Sequence, residues 1–261
     1  MFISILSSKI FTPNSSYLPP TKNTNMPGTV YLIPTVLHDD EQAVQTIPAY
    51  IIDAVKDCTV FFVENERTAR RYLKKLWCDM VIDNYTWYTI HKAEEEVQKT
   101  FIANLQQNKN IGIISEAGCP GIADPGQLLV AAAQAIGATV KPLVGPSSIL
   151  LALMASGMNG QCFQFHGYLP IDNVERKKKL KDLETDSQKR HCTQLFIETP
   201  YRNNALLQDA LQTLQPQTKF CIAADITAAT ESIITKNIAA WKKEPLPNLH
   251  KRPTIFLLYA G

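Results

Sequence analysis

Glycine is scarce in this chain, with 11 among 261 residues. The six cysteines, at 58, 78, 119, 162, 192 and 221, include no CxxC pair and no Cys/His ligand spacing. That pattern argues against a metal site or a disulfide framework and fits reduced thiols in a cytoplasmic protein. No run reaches the ~18 uninterrupted apolar residues of a membrane-spanning helix, so no membrane partner is expected. Neither sign of charge prevails: 26 Lys and Arg against 24 Asp and Glu leave +2, which demands no oppositely charged partner and moves attention to local clusters. What the chain does have is apolar content, 45% hydrophobic, enough for one large domain or two modest ones.

Residues 1–27 read as a disordered N-terminal tail. The stretch is rich in Ser, Asn, Thr and Pro, and its apolar piece FISIL is too short for a signal-peptide core. Met26 directly precedes a strand-like run and is the expected native start.

From Gly28 the chain alternates. Strand-like TVYLIP, TVFFVE, YTWYTI, NIGIIS and TVKPLV are separated by the helical stretches IPAYIIDAVKD, RTARRYLKKLW, EEEVQKTFIANLQ and QLLVAAAQAIG. Strand and helix in turn, joined by short connections, predict βα units and a mostly parallel sheet. The pattern restarts after VGPSS, where Ser147 or Ser148 can cap the helix ILLALMAS. The expected fold is therefore α/β with two lobes, 28–145 and 146–261.

Three of the few glycines sit in one stretch, SEAGCPGIADPG at 115–126, directly after the strand NIGIIS. Ligands bind outside the carboxyl ends of parallel strands, where βα loops expose N–H groups. Glycine allows close backbone approach there, and Glu116 and Asp124 add acceptors suited to a sugar hydroxyl or a cation. The stretch is neither a dinucleotide fingerprint nor a phosphate loop. From these residues alone, ligand contact and simple chain reversal remain equally open.

The ordered series SEAGCPGIADPGQLLV, LVGPSSILLALMASG, FHGYLP and IETPYRN resembles the tetrapyrrole methylase superfamily, and within it the ribosomal RNA small subunit methyltransferase I family. The resemblance runs from GTVYLIP at 28 to the carboxyl terminus. It implies two α/β lobes with a cleft between them for S-adenosyl-L-methionine, a homodimer, and a ribosomal RNA or small-ribosomal-subunit substrate methylated at a cytidine 2′-hydroxyl. Carried over by position, the cofactor-binding residues are Leu37 in the first loop, Glu116, Ala117, Gly118, Cys119, Gly121 and Ile122 in the glycine-rich loop, Ser147 and Ser148 in GPSS, Gly167 and Tyr168 in GYLP, and Thr254. Glu116 replaces the usual aspartate, and Cys119 stands where a threonine or an apolar residue is common, which makes it a lining residue and not a nucleophile. No metal is implied.

The chain departs from the family at two places. IPTVLHD lacks the Gly and Asn of the usual Thr-Pro-Ile-Gly-Asn turn, and VENERTAR keeps Glu64, Arg67 and Arg70 but loses an Asp and a Thr. Methyl transfer to a hydroxyl needs orientation and help with one proton. Glu64 and Glu198, both at strand ends, are the candidate acceptors, with Arg67 and Arg202 as their ion-pair partners or phosphate holders; ordinary ion pairing is the competing reading. His91 and His166 rank lower, because histidines beside strands are more often structural. Two basic stretches, Arg67 to Lys75 and Arg176 to Lys181, would form a phosphate track if both flanked the cleft. A tetrapyrrole methyltransferase and a non-catalytic cofactor-binding relative are the alternative readings.

Overall fold

The computed structural model describes residues 26–40, 42–90 and 94–261. Most of the expected tail, and His91, lie outside the described residues.

The first sheet is built from β1 (Val30–Leu32), β2 (Val60–Val63), β3 (Thr86–Thr89), β4 (Ile111–Ile114) and β5 (Val140–Pro142). Its order is β3-β2-β4-β1-β5 and every pairing is parallel. Strands such as VFFV and IGII carry apolar residues at every position because both faces are covered by helices. The period of two sends Phe61 and Val63 to the side of α1 (Ile51–Asp57) and α2 (Glu66–Leu76), where they meet Ile51 and Leu73. Val60 and Phe62 go to the side of α3 (Glu94–Gln106) and α4 (Gln127–Ala135), against Phe101, Leu105 and Leu129. Asn65 starts α2 by accepting from the N–H groups of Arg67 and Thr68. At Gly112 in β4 an added Cβ would lie 2.6 Å from the Phe61 ring, so the close stacking of β4 under that ring requires glycine.

The second sheet has β6 (Phe163–Tyr168), β7 (Thr193–Ile197), β8 (Lys219–Ala224), β9 (Ser232–Asn237) and β10 (Thr254–Tyr259), ordered β6-β7-β10-β8-β9. Only β6 and β7 are parallel; the other three pairings are antiparallel. The expectation of a mostly parallel sheet thus holds for the first sheet and fails for the second. The physical reason is that residues 225–231 are too few for a crossover helix and close a hairpin instead, while β10 enters between β7 and β8 against both. Alternation again sorts the faces. Leu195, Cys221, Ala223 and Leu257 pack with α5 (Ser148–Ser156), and Phe196, Phe220, Phe256 and Leu258 pack beneath α6 (Asn173–Arg190) and α7 (Asn203–Thr213).

Candidate functional site

All five strands of the first sheet point their carboxyl ends the same way. The connection after β1 leads towards β2, whereas that after β4 leads over β1 to β5, so a crevice opens between neighbouring β1 and β4. The glycine-rich loop lies in it. Thr35 N–H donates to the Gly118 carbonyl over 2.8 Å, which ties the loop after β1 to the loop after β4. On the other side the Cys119 thiol, with Sγ 3.5 Å from the Pro146 carbonyl oxygen, meets the loop after β5. Gly118, Gly121, Ala123 and Gly126 all have left-handed backbone, a density of positive φ that only a glycine-rich sequence reaches without much strain. At Gly118 a Cβ would also press, at 3.3 Å, on Leu37 Cδ2 and the Pro146 oxygen.

Two abutting cavities face this loop from the second sheet. One, of about 180 Å³, is lined by Ala117, Gly118, Cys119, Ile122, Asp124, Ser147 and Ser148 on one side and Phe165, Tyr168, Ile197 and Ile255 on the other. The next, of about 120 Å³, continues past Leu37, His38, Ala117 and Ser148 to Ile226 and Thr254. The cleft therefore brings together Leu37, Ala117, Gly118, Cys119, Ile122, Ser147, Ser148, Tyr168 and Thr254, nine of the positions carried over by resemblance. Gly121 and Gly167 shape the adjoining backbone through positive φ and do not line it. Glu116 turns away to a neighbouring cavity beside α2.

The cleft is chemically two-sided. Its apolar wall comes from Leu37, Ile122, Phe165, Ile197 and Ile255. Opposite stand the hydroxyls of Ser147 and Ser148 at the start of α5, and Ser147 spends none of its side chain on capping that helix. Asp124, from the glycine-rich loop, lines the same cavity. Burial pushes its carboxyl up to about 6, with the charges of Glu64 and Glu116 adding to the effect and a hydrogen bond from Ser115 opposing it. Desolvation likewise raises the Cys119 thiol, so it stays protonated and serves as lining, not as a nucleophile. Asp124 was legible in the sequence as an acceptor within the loop, yet nothing in the pattern ranked it above Glu116.

The candidate catalytic residues divide between the two sheets, and none of them lines the two cavities. Glu64, just past β2, accepts the Glu116 N–H over 2.9 Å, so it shapes the start of the glycine-rich loop. Arg67, in the first turn of α2, is exposed, and its guanidinium has no partner among the described residues; it pairs with neither glutamate. Glu198, just past β7, is buried and bound by Arg202 through 2.6 and 3.0 Å contacts. Its second oxygen, Oε2, is buried without a partner. Tyr168, which lines the cleft, is near enough to Arg202 for a weak electrostatic interaction. His166 is engaged with Gln194 on the neighbouring strand, the structural role expected for it.

The second basic stretch does not flank the cleft. The helix α6 covers the face of the second sheet opposite to α5 and the cavities. Arg176 is itself buried, with Nε and Nη2 on Asp209 Oδ2 at 2.8 and 2.5 Å and Nη1 donating to the Ile171 carbonyl. Lys177 reaches the other oxygen of Asp209 at 3.4 Å, and sequence alone does not separate this buried cluster from the lysines that follow it.

Two five-stranded sheets that both line a cleft beside a glycine-rich loop give the chain the tetrapyrrole methylase class of fold. A solved structure of uroporphyrin-III C-methyltransferase from Thermus thermophilus, complexed with S-adenosyl homocysteine, matches it with a TM-score of 0.50 and 15% identity, over 89% of this chain and 97% of that one. No family model matches the sequence. The ribosomal RNA small subunit methyltransferase I of Vibrio cholerae is 30% identical over 216 residues, covering 82% of this chain and 71% of that protein. The corresponding protein of Bacillus subtilis is 31% identical over 220 residues, covering 83% and 71%. The chain belongs to the ribosomal RNA small subunit methyltransferase I family.

Proposed function

We propose that this protein transfers a methyl group from S-adenosyl-L-methionine to the 2′-hydroxyl of a cytidine in small-subunit ribosomal RNA. Its subunits would divide into lobes at about residue 145 and pair as a cytoplasmic homodimer. The observation that carries the reading is the junction at Gly118, where three βα loops converge on the cleft and an added Cβ would press at 3.3 Å on Leu37 and Pro146, in a chain of this family.

The residues present fit the cofactor. The apolar wall suits an adenine ring and the methionine side chain, and Asp124 offers an acceptor for ribose hydroxyls. At the amino terminus of α5, unsatisfied N–H groups with Ser147 and Ser148 suit a carboxylate. When bound, S-adenosyl-L-methionine supplies a sulfonium methyl already activated for in-line displacement. The chain's own part is orientation and the exclusion of water. The backbone around Gly118 fixes the cleft floor, and Glu64 holds the approach to it through Glu116.

Pairing of subunits is supported by α5, which is apolar all round. Leu150 and Met154, one turn apart, are 50% and 78% exposed, the surface expected of a helix with a further partner. None of the described helices is long and apolar enough to cross a membrane.

The test incubates the protein with radiolabelled S-adenosyl-L-methionine and either small ribosomal subunits or a uroporphyrin-type substrate. Label in a cytidine ribose of the RNA is the expected result. Label in the tetrapyrrole, or cofactor binding without transfer to either, overturns the reading.

A further inference from the structure

Across Leu37 and His38 from the cofactor cleft lies another cavity, of about 290 Å³, between α2 and the loop after β1. Arg71, Tyr72 and Lys75 of α2 form one wall, Val36 and Asp39 another, and Glu116 stands where this cavity meets the glycine-rich loop. The Tyr72 hydroxyl donates to the Pro34 carbonyl over 2.7 Å, which leaves the ring to act as an apolar surface.

The charge on α2 has a pattern. Arg67, Arg71 and Lys75 recur every fourth residue and so share one ridge of the helix. Arg71 and Lys75 both reach the single carboxylate of Asp39, at 2.7 and 2.5 Å, with side chains 56%, 41% and 53% exposed. Attractions between groups this exposed are weak. Two cations share one anion and Arg67 has no partner among the described residues, so the ridge keeps positive charge that an incoming phosphate can use.

We propose that this cavity receives the acceptor nucleotide as a single-stranded RNA residue, with Arg67, Arg71 and Lys75 holding its flanking phosphates and Asp39 occupying their place until RNA arrives. The inference rests on the methyltransferase reading. It gives the basic stretch from Arg67 to Lys75 a cavity to serve and adds Asp39 as the anion that Arg71 and Lys75 share before RNA binds. Size favours one nucleotide: at about 290 Å³ the cavity is too small for a tetrapyrrole macrocycle or a duplex, whereas unpaired nucleotides can be turned into such sites. The lining is mixed, with an aromatic and aliphatic wall for a base or sugar face and Glu116 to accept from a hydroxyl or amino group. The shared walls at Leu37 and His38 set the cavity directly beside the methyl donor's cleft.

The test measures binding of deproteinised small-subunit ribosomal RNA over a salt series, methyl transfer to small ribosomal subunits, and S-adenosyl homocysteine affinity by calorimetry. In the double variant Arg71→Ala/Lys75→Ala, RNA binding should weaken and the slope of log affinity against log salt should fall by about 0.7 for each phosphate no longer neutralised, with S-adenosyl homocysteine affinity unchanged. Asp39→Asn should tighten RNA binding, a gain that misfolding cannot produce. If the wild type methylates RNA while the double variant keeps its full slope, or Asp39→Asn fails to tighten binding, the acceptor cavity is wrong. A wild type that methylates no RNA overturns the underlying activity instead.

Discussion

The Thr35 N–H and the Gly118 carbonyl, 2.8 Å apart, join two loops that are 83 residues apart in the chain and neighbours only because β1 lies beside β4. Through that one bond the glycine-rich loop takes its position from the first βα loop, and Leu37, two residues on, comes to rest against Gly118. The cleft's floor is thus set by backbone and one aliphatic side chain, with no charged contact in it.

Gly118→Ala and Gly121→Ala separate conformation from contact. Both residues have positive φ, 69° and 79°, so each substitution should cost roughly 1–2 kcal/mol of stability. At Gly121 the new Cβ meets nothing within 4 Å, but at Gly118 it meets Leu37 and Pro146. Calorimetry should therefore find S-adenosyl homocysteine affinity reduced at least tenfold, about 1.4 kcal/mol, for Gly118→Ala, and little changed for Gly121→Ala. Gly118→Val should abolish binding. Equal affinities across the set would show that the loop does not cradle the cofactor.

Much of this site is legible in the sequence. The strand-then-glycine pattern of NIGIISEAG puts a ligand loop at a carboxyl strand end, because a period of two and a turn signal are local properties of the chain. Gly137 and Gly157 mark helix ends for the same reason, and both have left-handed backbone. Pairing direction is not local: nothing in PTIFLLYA says that it enters between β7 and β8, so the antiparallel pairings of the second sheet stay hidden. Nor can the lysine-rich run around Arg176 disclose that Arg176 is buried against Asp209, with Lys177 reaching the other oxygen of the same carboxylate. Asp124 is visible as an acceptor, but its perturbation comes from burial and then from Glu64, 60 residues away, and neither is a local property.

Asp124 gives a pH signature. Its carboxyl, raised to about 6 by burial and then by Glu64, binds its proton more tightly in the folded chain than in the unfolded one. The resulting stabilisation is fully present below the ordinary aspartate value and is lost as pH rises through about 6. Asp124→Asn removes that dependence. Thermal melts should show the variant gaining on the wild type as pH rises from about 4 to about 6, with a constant difference above that. A difference that does not vary with pH would mean that the carboxyl is not desolvated beside Glu64.

Arg176 and Asp209 have side chains only 7% and 6% exposed, and breaking the pair leaves the buried carboxylate with only the half-buried Lys177, 3.4 Å away, to offset its charge. Arg176→Met should lower the unfolding free energy by about 3–5 kcal/mol, whereas Arg176→Met with Asp209→Leu should recover most of the loss. Urea melts of the two variants decide it; an Arg176→Met protein as stable as wild type would return Arg176 to the surface and to the phosphate track.

Arg67 is the remaining cation of the family-like VENERTAR stretch, and its surroundings separate two roles. Had it paired with Glu64, its loss would disturb the loop that Glu64 holds through the Glu116 N–H, and cofactor affinity would fall. Its guanidinium is instead free among the described residues, at the amino end of the ridge that continues through Arg71 and Lys75. Arg67→Ala should therefore leave S-adenosyl homocysteine affinity within about twofold, well under the ~1.4 kcal/mol of a tenfold change. Methylation of small ribosomal subunits should fall through a raised KM, as expected when an interaction holds substrate and transition state alike. Arg67→Lys, which keeps the charge without the planar fork, should restore part of the activity. A lowered kcat at unchanged KM would place Arg67 at the reacting hydroxyl, and normal turnover in Arg67→Ala would remove it from the acceptor side altogether.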